Sequence, residues 1–201
     1  MPPMSQPPST RPGSKTETDT INLDFTGVFK LADLKVPPPA PPAPKTPPQE
    51  LVIGAGEIAA GNFFVNFARK HPKRKLDHGK ITILIVDDDA VTRTLVHSVL
   101  ARTGFKTRLA GNGAEFVAAI NKMPLADLLI LDIQLPDVSG LKILSKMRAH
   151  PRLKTLPVIL FTGHAGVDEL SRGVALGADG FLSKPTKAPA LLAAVQTVLG
   201  G

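Results

Sequence analysis

The sequence predicts an α/β fold, a doubly wound five-stranded parallel sheet preceded by a largely disordered N-terminal tail. Three observations predict it. From Lys80 onward, apolar runs of strand length alternate with segments of helical periodicity, and five such units with short loops specify a parallel sheet between helices. The run Leu128-Leu-Ile-Leu-Asp132 has no polar residue before its aspartate, as expected of a strand buried on both faces. Polar residues of defined type stand at the ends of four of the five strands, the edge where open α/β sheets place their chemistry.

Each element has its own justification. Ile81 to Val86 is rich in β-branched residues and forms the first strand, followed by Asp87-Asp88-Asp89. Ala90 to Thr103 is an amphipathic helix with Val91, Leu95 and Val99 (or Leu100) on its inward stripe and Gly104 as its stop. Phe105 to Leu109 is the second strand and Ala114 to Lys122 the second helix. The third strand ends in Asp132; Pro136 and Gly140 turn the chain into a helix from about Ser139 to Ala149, before Pro151. Pro157 to Phe161 is the fourth strand, with Thr162-Gly163 at its end, and Asp168 to Leu176 the fourth helix. Gly180 to Ser183 is the fifth strand, closed by Lys184-Pro185, and Pro189 to Leu199 the last helix, its proline suited to a first turn.

The preceding part reads differently, which divides the chain into an extension, 1–78, and a domain, 79–201. Most of the 20 prolines fall before residue 50. Residues 1–20 offer almost nothing to bury and are expected to be disordered. Residues 21–36 are an apolar island: Ile21, Leu23 and Phe25 alternate as in a strand, while Val28, Leu31 and Ala32 fall at helical spacing. The island reads either as a motif that docks on a partner or as a segment packed weakly on its own domain. Residues 37–48 form a polyproline II spacer. Gly54 and Gly56 suggest a dinucleotide-binding turn, but the βαβ unit that reading requires is missing, and it is rejected. Residues 61–75 join Phe63, Phe64 and Phe67 to the basic run Arg69 to Lys75. They fit a docking helix with weak affinity for a membrane or nucleic acid through 69–75, or a charged hinge with its phenylalanines packed on the domain edge, the favoured alternative.

The net charge of +7 is shared, with eleven Lys/Arg against seven Asp/Glu in the first 80 residues and thirteen against ten in the rest. That is a mild bias toward anionic partners and no sign of a nucleic-acid domain. Cysteine is absent, which excludes disulfides and thiolate chemistry. With neither a secretory signal nor an apolar run of membrane-spanning length, a cytoplasmic protein is expected.

The strand ends carry the chemistry. The first supplies two or three carboxylates, the third supplies Asp132, the fourth the Thr162 hydroxyl and the fifth the Lys184 ammonium. Adjacent carboxylates repel, so the cluster either raises its pKa values or holds a divalent cation, and oxygen ligands with water suit Mg²⁺. Hydroxyl and ammonium beside a carboxylate are what a phosphoryl group on that carboxylate requires, and aspartate is an established phosphoryl acceptor. Each part alone has a dull explanation, such as a helix cap, a turn or a loop. No single dull explanation covers four of them in order at four strand ends.

Ile83 to Asp89, Leu128 to Gly140, Val158 to Gly163 and Gly177 to Pro185 together make residues 80–200 resemble a receiver domain of the two-component response-regulator family, of the single-domain, chemotaxis-regulator-like kind. The resemblance implies a flavodoxin-like fold with strand order 2-1-3-4-5. It implies that Asp132 accepts phosphate from a histidine kinase or phosphotransfer protein. Asp88, Asp132 and the backbone carbonyl of Gln134 would bind Mg²⁺, with Asp87 acting through a water. Lys184 would contact the phosphoryl oxygens, Thr162 would move toward them, and Phe181 would follow as the aromatic switch. Gln134 and His164 would tune dephosphorylation, and Gly163, where alanine is usual, would open access to the phosphate. The face of the fourth helix, fifth strand and last helix would carry output and, in some relatives, a homodimer contact. The chain's only catalysis would then be its own Mg²⁺-dependent phosphorylation and dephosphorylation. With no DNA-binding domain following the last helix, output is expected through contact with a protein target, or through an adaptor role of the extension.

Overall fold

The computed structural model describes residues 20–23, 64–66, 77–163 and 167–200. In chain order the elements are β1 (Phe64–Asn66), β2 (Thr82–Val86), α1 (Ala90–Arg102), β3 (Lys106–Ala110), α2 (Gly113–Ile120), β4 (Leu128–Leu131), α3 (Gly140–Ala149), β5 (Val158–Thr162), α4 (Val167–Ala175), β6 (Gly180–Ser183) and α5 (Ala188–Leu199). They form one sheet in the order β1-β6-β5-β4-β2-β3. The five strands from β2 to β6 are parallel and follow the expected order, counted from β2 as the first. The sheet differs from the expectation by one strand: β1, from the extension, pairs antiparallel with the free edge of β6.

Strand alternation separates the core into two layers. Leu84, Val86, Leu129, Leu131, Val158, Leu160 and Phe181 point to one face, where α2 and α3 supply Phe116, Ile120, Leu144 and Met147. Ile83, Ile85, Leu128, Ile130, Ile159, Phe161 and Leu182 point to the other, against α1 and α5. Every residue of β2, β4, β5 and β6 is buried, so both pleat faces are largely apolar, with Thr82, Thr162 and Ser183 as buried polar residues at strand ends. At about 1.5–3 kcal/mol per fully buried large side chain, these two layers are the main source of stability.

The inward stripe of α1 corrects the sequence expectation. Val96 and Leu100 are buried, whereas Val91 and Leu95 are 76% and 56% exposed. Asp89 starts this helix: its carboxylate accepts from the N–H groups of Val91 and Thr92, which fixes where the first turn begins. The short link from β2 then sets the rotational phase, and the stripe one residue further on faces the sheet. Leu95 instead lines an exposed groove with Val99, Thr186 and Leu191.

Two pieces of the extension pack on the domain. Besides β1, Ile21 and Leu23 are buried, at 1% and 7% exposure, within the α2–α3 layer. The proline-rich spacer 37–48, Gly54 and Gly56, the basic run 69–75 and His164 lie outside the described residues.

Candidate phosphoacceptor site

Asp87, Asp132, Thr162 and Lys184 stand at the carboxyl ends of β2, β4, β5 and β6, and parallel pairing brings these ends to one edge. Asp132 N–H donates to the carbonyl of Val86 at 2.8 Å, and Lys184 N–H to that of Thr162 at 2.8 Å. The ladder thus runs one residue past each strand and aligns the functional side chains.

Lys184 is the centre of the site. Its Nζ lies 2.6 Å from Asp132 Oδ2 and 2.6 Å from Asp87 Oδ2, and 5.1 Å from the centre of the Phe161 ring. Burial opposes its charge, but hydrogen bonds and attraction from the two carboxylates outweigh that and hold its pKa above the usual lysine value. Burial pushes the Asp87 carboxyl upward, and neighbouring Asp132 adds to this, against the opposing pull of Lys184. Asp132 Oδ1 accepts from the N–H of Gln134 at 3.1 Å, and Asp87 Oδ1 from that of Asp89 at 3.0 Å.

The residues present fit a divalent cation. Carboxylate oxygens of Asp87, Asp88 and Asp132 all lie within 4.8 Å of one another, with Asp88 exposed and the others buried. Among the described residues, Lys184 pairs with two of these carboxylates, Asp87 and Asp132. Asp87 Oδ2 is buried against the Lys184 ammonium at 2.6 Å, and as a carboxylate oxygen it keeps lone-pair capacity for a further cation. A set of hard oxygen donors beside open solvent suits Mg²⁺, which retains several waters.

Of the predicted residues, Asp87, Asp88, Asp132 and Lys184 meet directly. Thr162 is buried at the adjacent strand end, one residue before exposed Gly163. A Cβ at Gly163 would make only ordinary contact, 3.9 Å from Lys184 Cβ, so the glycine is not required to clear the site. Phe181 is wholly buried between β1 and β5, opposite Val65 in the ladder. Gln134 is exposed and contributes a backbone N–H to Asp132.

Other residues of the site were not singled out from sequence. Arg93 on α1 donates to the carbonyl oxygens of Asp87 and Asp88 and so holds the carboxylate loop. Asp137 accepts from the N–H groups of Gly113 and Ala114 at 2.8 and 3.3 Å, tying the loop after Asp132 to the start of α2. Gly140, expected only to turn the chain, is a close-approach glycine: a Cβ there would stand 2.0 Å from the Asp132 carbonyl oxygen. Its N–H donates to the carbonyl of Ile133 at 2.8 Å, so α3 begins directly against the backbone that presents Asp132. An arginine at mid-turn spacing from the carboxylate loop was the only sequence signal for Arg93; the role of Gly140 had none.

The family model for the response regulator receiver domain matches residues 83–196. The transcriptional regulatory protein GltR of Pseudomonas aeruginosa is 41% identical over 120 residues, 59% of this chain and 48% of that protein. The phosphate regulon transcriptional regulatory protein PhoB of Rhizobium meliloti is 37% identical over 119 residues, 58% of this chain and 51% of that protein. The chain thus spans about half the length of these curated relatives. Among solved structures, the Vibrio cholerae chemotaxis protein CheY4 is 29% identical with a TM-score of 0.56, covering 59% of this chain and 98% of that one. The receiver domain of NtrX from Brucella abortus is 33% identical with a TM-score of 0.54, covering 58% and 97%.

Proposed function

This chain belongs to the response regulator receiver domain family, and from that premise we propose that it is a phosphorylation-dependent switch whose acceptor is Asp132. The observation that carries the reading is the placement of Lys184 Nζ at 2.6 Å from both Asp132 and Asp87, with a third carboxylate at the same edge. A carboxylate oxygen of Asp132 attacks the phosphorus of a phosphohistidine on a kinase or phosphotransfer protein; the P–O bond forms as the P–N bond breaks, and the histidine takes up a proton on release. Asp87, Asp88, Asp132 and the Gln134 carbonyl are the residues that would hold Mg²⁺, which when bound supplies positive charge against the phosphoryl oxygens. Lys184 follows those oxygens from the carboxylate pair, and the Gln134 N–H orients Asp132. Thr162 and buried Phe181 then report the event, and Gln134 and His164 set its lifetime. The chain's own phosphorylation and dephosphorylation are its only catalysis.

We place the switch in residues 79–201, with 1–78 as an extension, in the cytoplasm where such donors act. Output is read as protein contact through α4, β6 and α5, including contact with a second copy. The relatives named as transcriptional regulators favour a second reading, DNA-directed output. A third reading is an adaptor docking through its extension, in which 20–23 and 64–66 would have to leave their places on the domain to engage a partner.

The deciding experiment is intact mass after incubation with Mg²⁺ and a small acyl phosphate, on wild type and Asp132→Asn. The expected result is a phosphoryl adduct on the wild type alone. Failure to form the adduct with either the small donor or a kinase, together with no Mg²⁺ binding, overturns the reading. Deleting residues 1–78 leaves the adduct and removes partner binding only in the adaptor case. Salt-sensitive DNA or vesicle binding that disappears when Arg69 to Lys75 are neutralised would assign those contacts to 69–75.

A further inference from the structure

Residues 20–23 lie a hundred positions from the residue that holds them. The Ile21 N–H donates to Asn121 Oδ1 at 2.7 Å, and Asn121 Nδ2 donates back to the Ile21 carbonyl at 2.9 Å. One side-chain amide therefore satisfies both backbone groups of a single residue, as a neighbouring β-strand would. Nδ2 also donates to the Val117 carbonyl at 2.9 Å, so the amide is fixed on the last turn of α2 and cannot swing freely. On either side of exposed Asn22, Ile21 and Leu23 are buried in the layer that includes Phe116, Ile120, Ala126, Leu153 and Leu156. Alternate side chains are buried and the intervening backbone is read by a polar group. That is how extended peptides are bound.

We infer that the base of the domain, at the end of the sheet opposite Asp132, carries a peptide-recognition groove read by Asn121, and that its resident ligand is this chain's own Ile21-Asn22-Leu23. The two apolar positions select the Ile-x-Leu spacing, and the amide selects an extended backbone whatever residue lies between. Residues 24–63 connect the ligand to β1, the next part of the chain paired on the domain, so it is tethered rather than integral, and its hold on the groove depends on effective concentration. An external segment of the same chemistry, an extended apolar peptide with Ile-x-Leu spacing, competes for the same groove. The inference does not depend on phosphorylation.

The test uses the full chain and a fluorescent peptide spanning residues 17–26. Ile21→Asp with Leu23→Asp vacates the groove, and anisotropy should show saturable binding of the peptide to this variant. Wild type should bind it at least about tenfold more weakly, because the tethered copy competes at an effective concentration of up to about millimolar. Adding Asn121→Asp to the vacated variant, which keeps an acceptor and removes the donor, should lose at least about tenfold, the size of one lost hydrogen bond in a buried setting. Equal binding to wild type and vacated variant, or none to the vacated variant, overturns the inference. Hydrogen exchange on unmodified protein gives an answer independent of variant folding. The Ile21 amide should be protected and should lose protection when excess peptide is added; an amide that exchanges freely from the start refutes the site.

Discussion

At the carboxyl ends of the strands Lys184 faces Asp87 and Asp132; at the amino ends Arg148 faces Asp179. Both pairs are largely buried, with Arg148 and Asp179 side chains 15% and 1% exposed and Lys184 17%. The lower pair is fully furnished. Arg148 donates to the carbonyls of Gly177 and Leu156 as well as to Asp179 at 3.0 Å, and Asp179 accepts the Val158 N–H at 2.8 Å. Charge is balanced one to one, and the network pins α3 to the starts of β5 and β6. Among the described residues the upper cluster pairs Lys184 with both Asp87 and Asp132, and Asp88 adds a third carboxylate at the same edge. A charge-balanced buried network serves as scaffold; one with carboxylates in excess of its lysine is prepared for a cation to arrive.

That contrast can be broken by substitution. The largest effect is expected at the lower pair: Asp179→Ala takes the carboxylate from a largely buried Arg148 guanidinium and strips the Val158 N–H of its acceptor, and should cost about 3–5 kcal/mol in chemical denaturation. Gly140→Ala should cost about 1–3 kcal/mol, because a methyl group cannot fit against the Asp132 carbonyl without moving α3 or the backbone after β4. Slower adduct formation in the folded fraction would show that the shift reaches the acceptor. At the upper cluster the sign should invert. Asp87→Asn relieves a desolvated, repelled carboxylate, and should stabilise by about 0.5–2 kcal/mol while weakening Mg²⁺ binding by calorimetry. Destabilisation there would mean that the two networks follow the same rule after all. The smallest effect belongs to Gly163→Ala, expected within about 0.5 kcal/mol and with an unchanged adduct lifetime, since the added carbon meets only ordinary contact.

Much of this was legible in the sequence for definite physical reasons. Strands buried on both faces must be apolar throughout, so β2, β4 and β5 stood out, and a parallel sheet places their ends together, so Asp87, Asp132, Thr162 and Lys184 could be grouped before any distance was known. Features that depend on tertiary fit were not legible. Helix α1 has apolar residues on two adjacent stripes, and only the Asp89 cap and the sheet's position choose Val96 and Leu100 over Val91 and Leu95. The alternation of Ile21 and Leu23 was visible, but not its destination at Asn121, because a hundred residues intervene. An edge strand of three residues such as β1 is recruited by backbone groups and leaves little side-chain pattern to read.

Strand β1 also alters what β6 can offer to other molecules. An uncovered β6 would present a row of free N–H and C=O groups, the template on which a foreign strand or another copy of the sheet could grow. With Phe64, Val65 and Asn66 laid against Leu182, Phe181 and Gly180, that template is already spoken for. The cover is nevertheless short. Three paired positions, at about 0.5–1.5 kcal/mol for each net hydrogen bond, can be peeled away for an energy within reach of an ordinary binding event. The strand that leads into Lys184 is therefore guarded against chance association while remaining open to a partner that outbids three residues of its own chain.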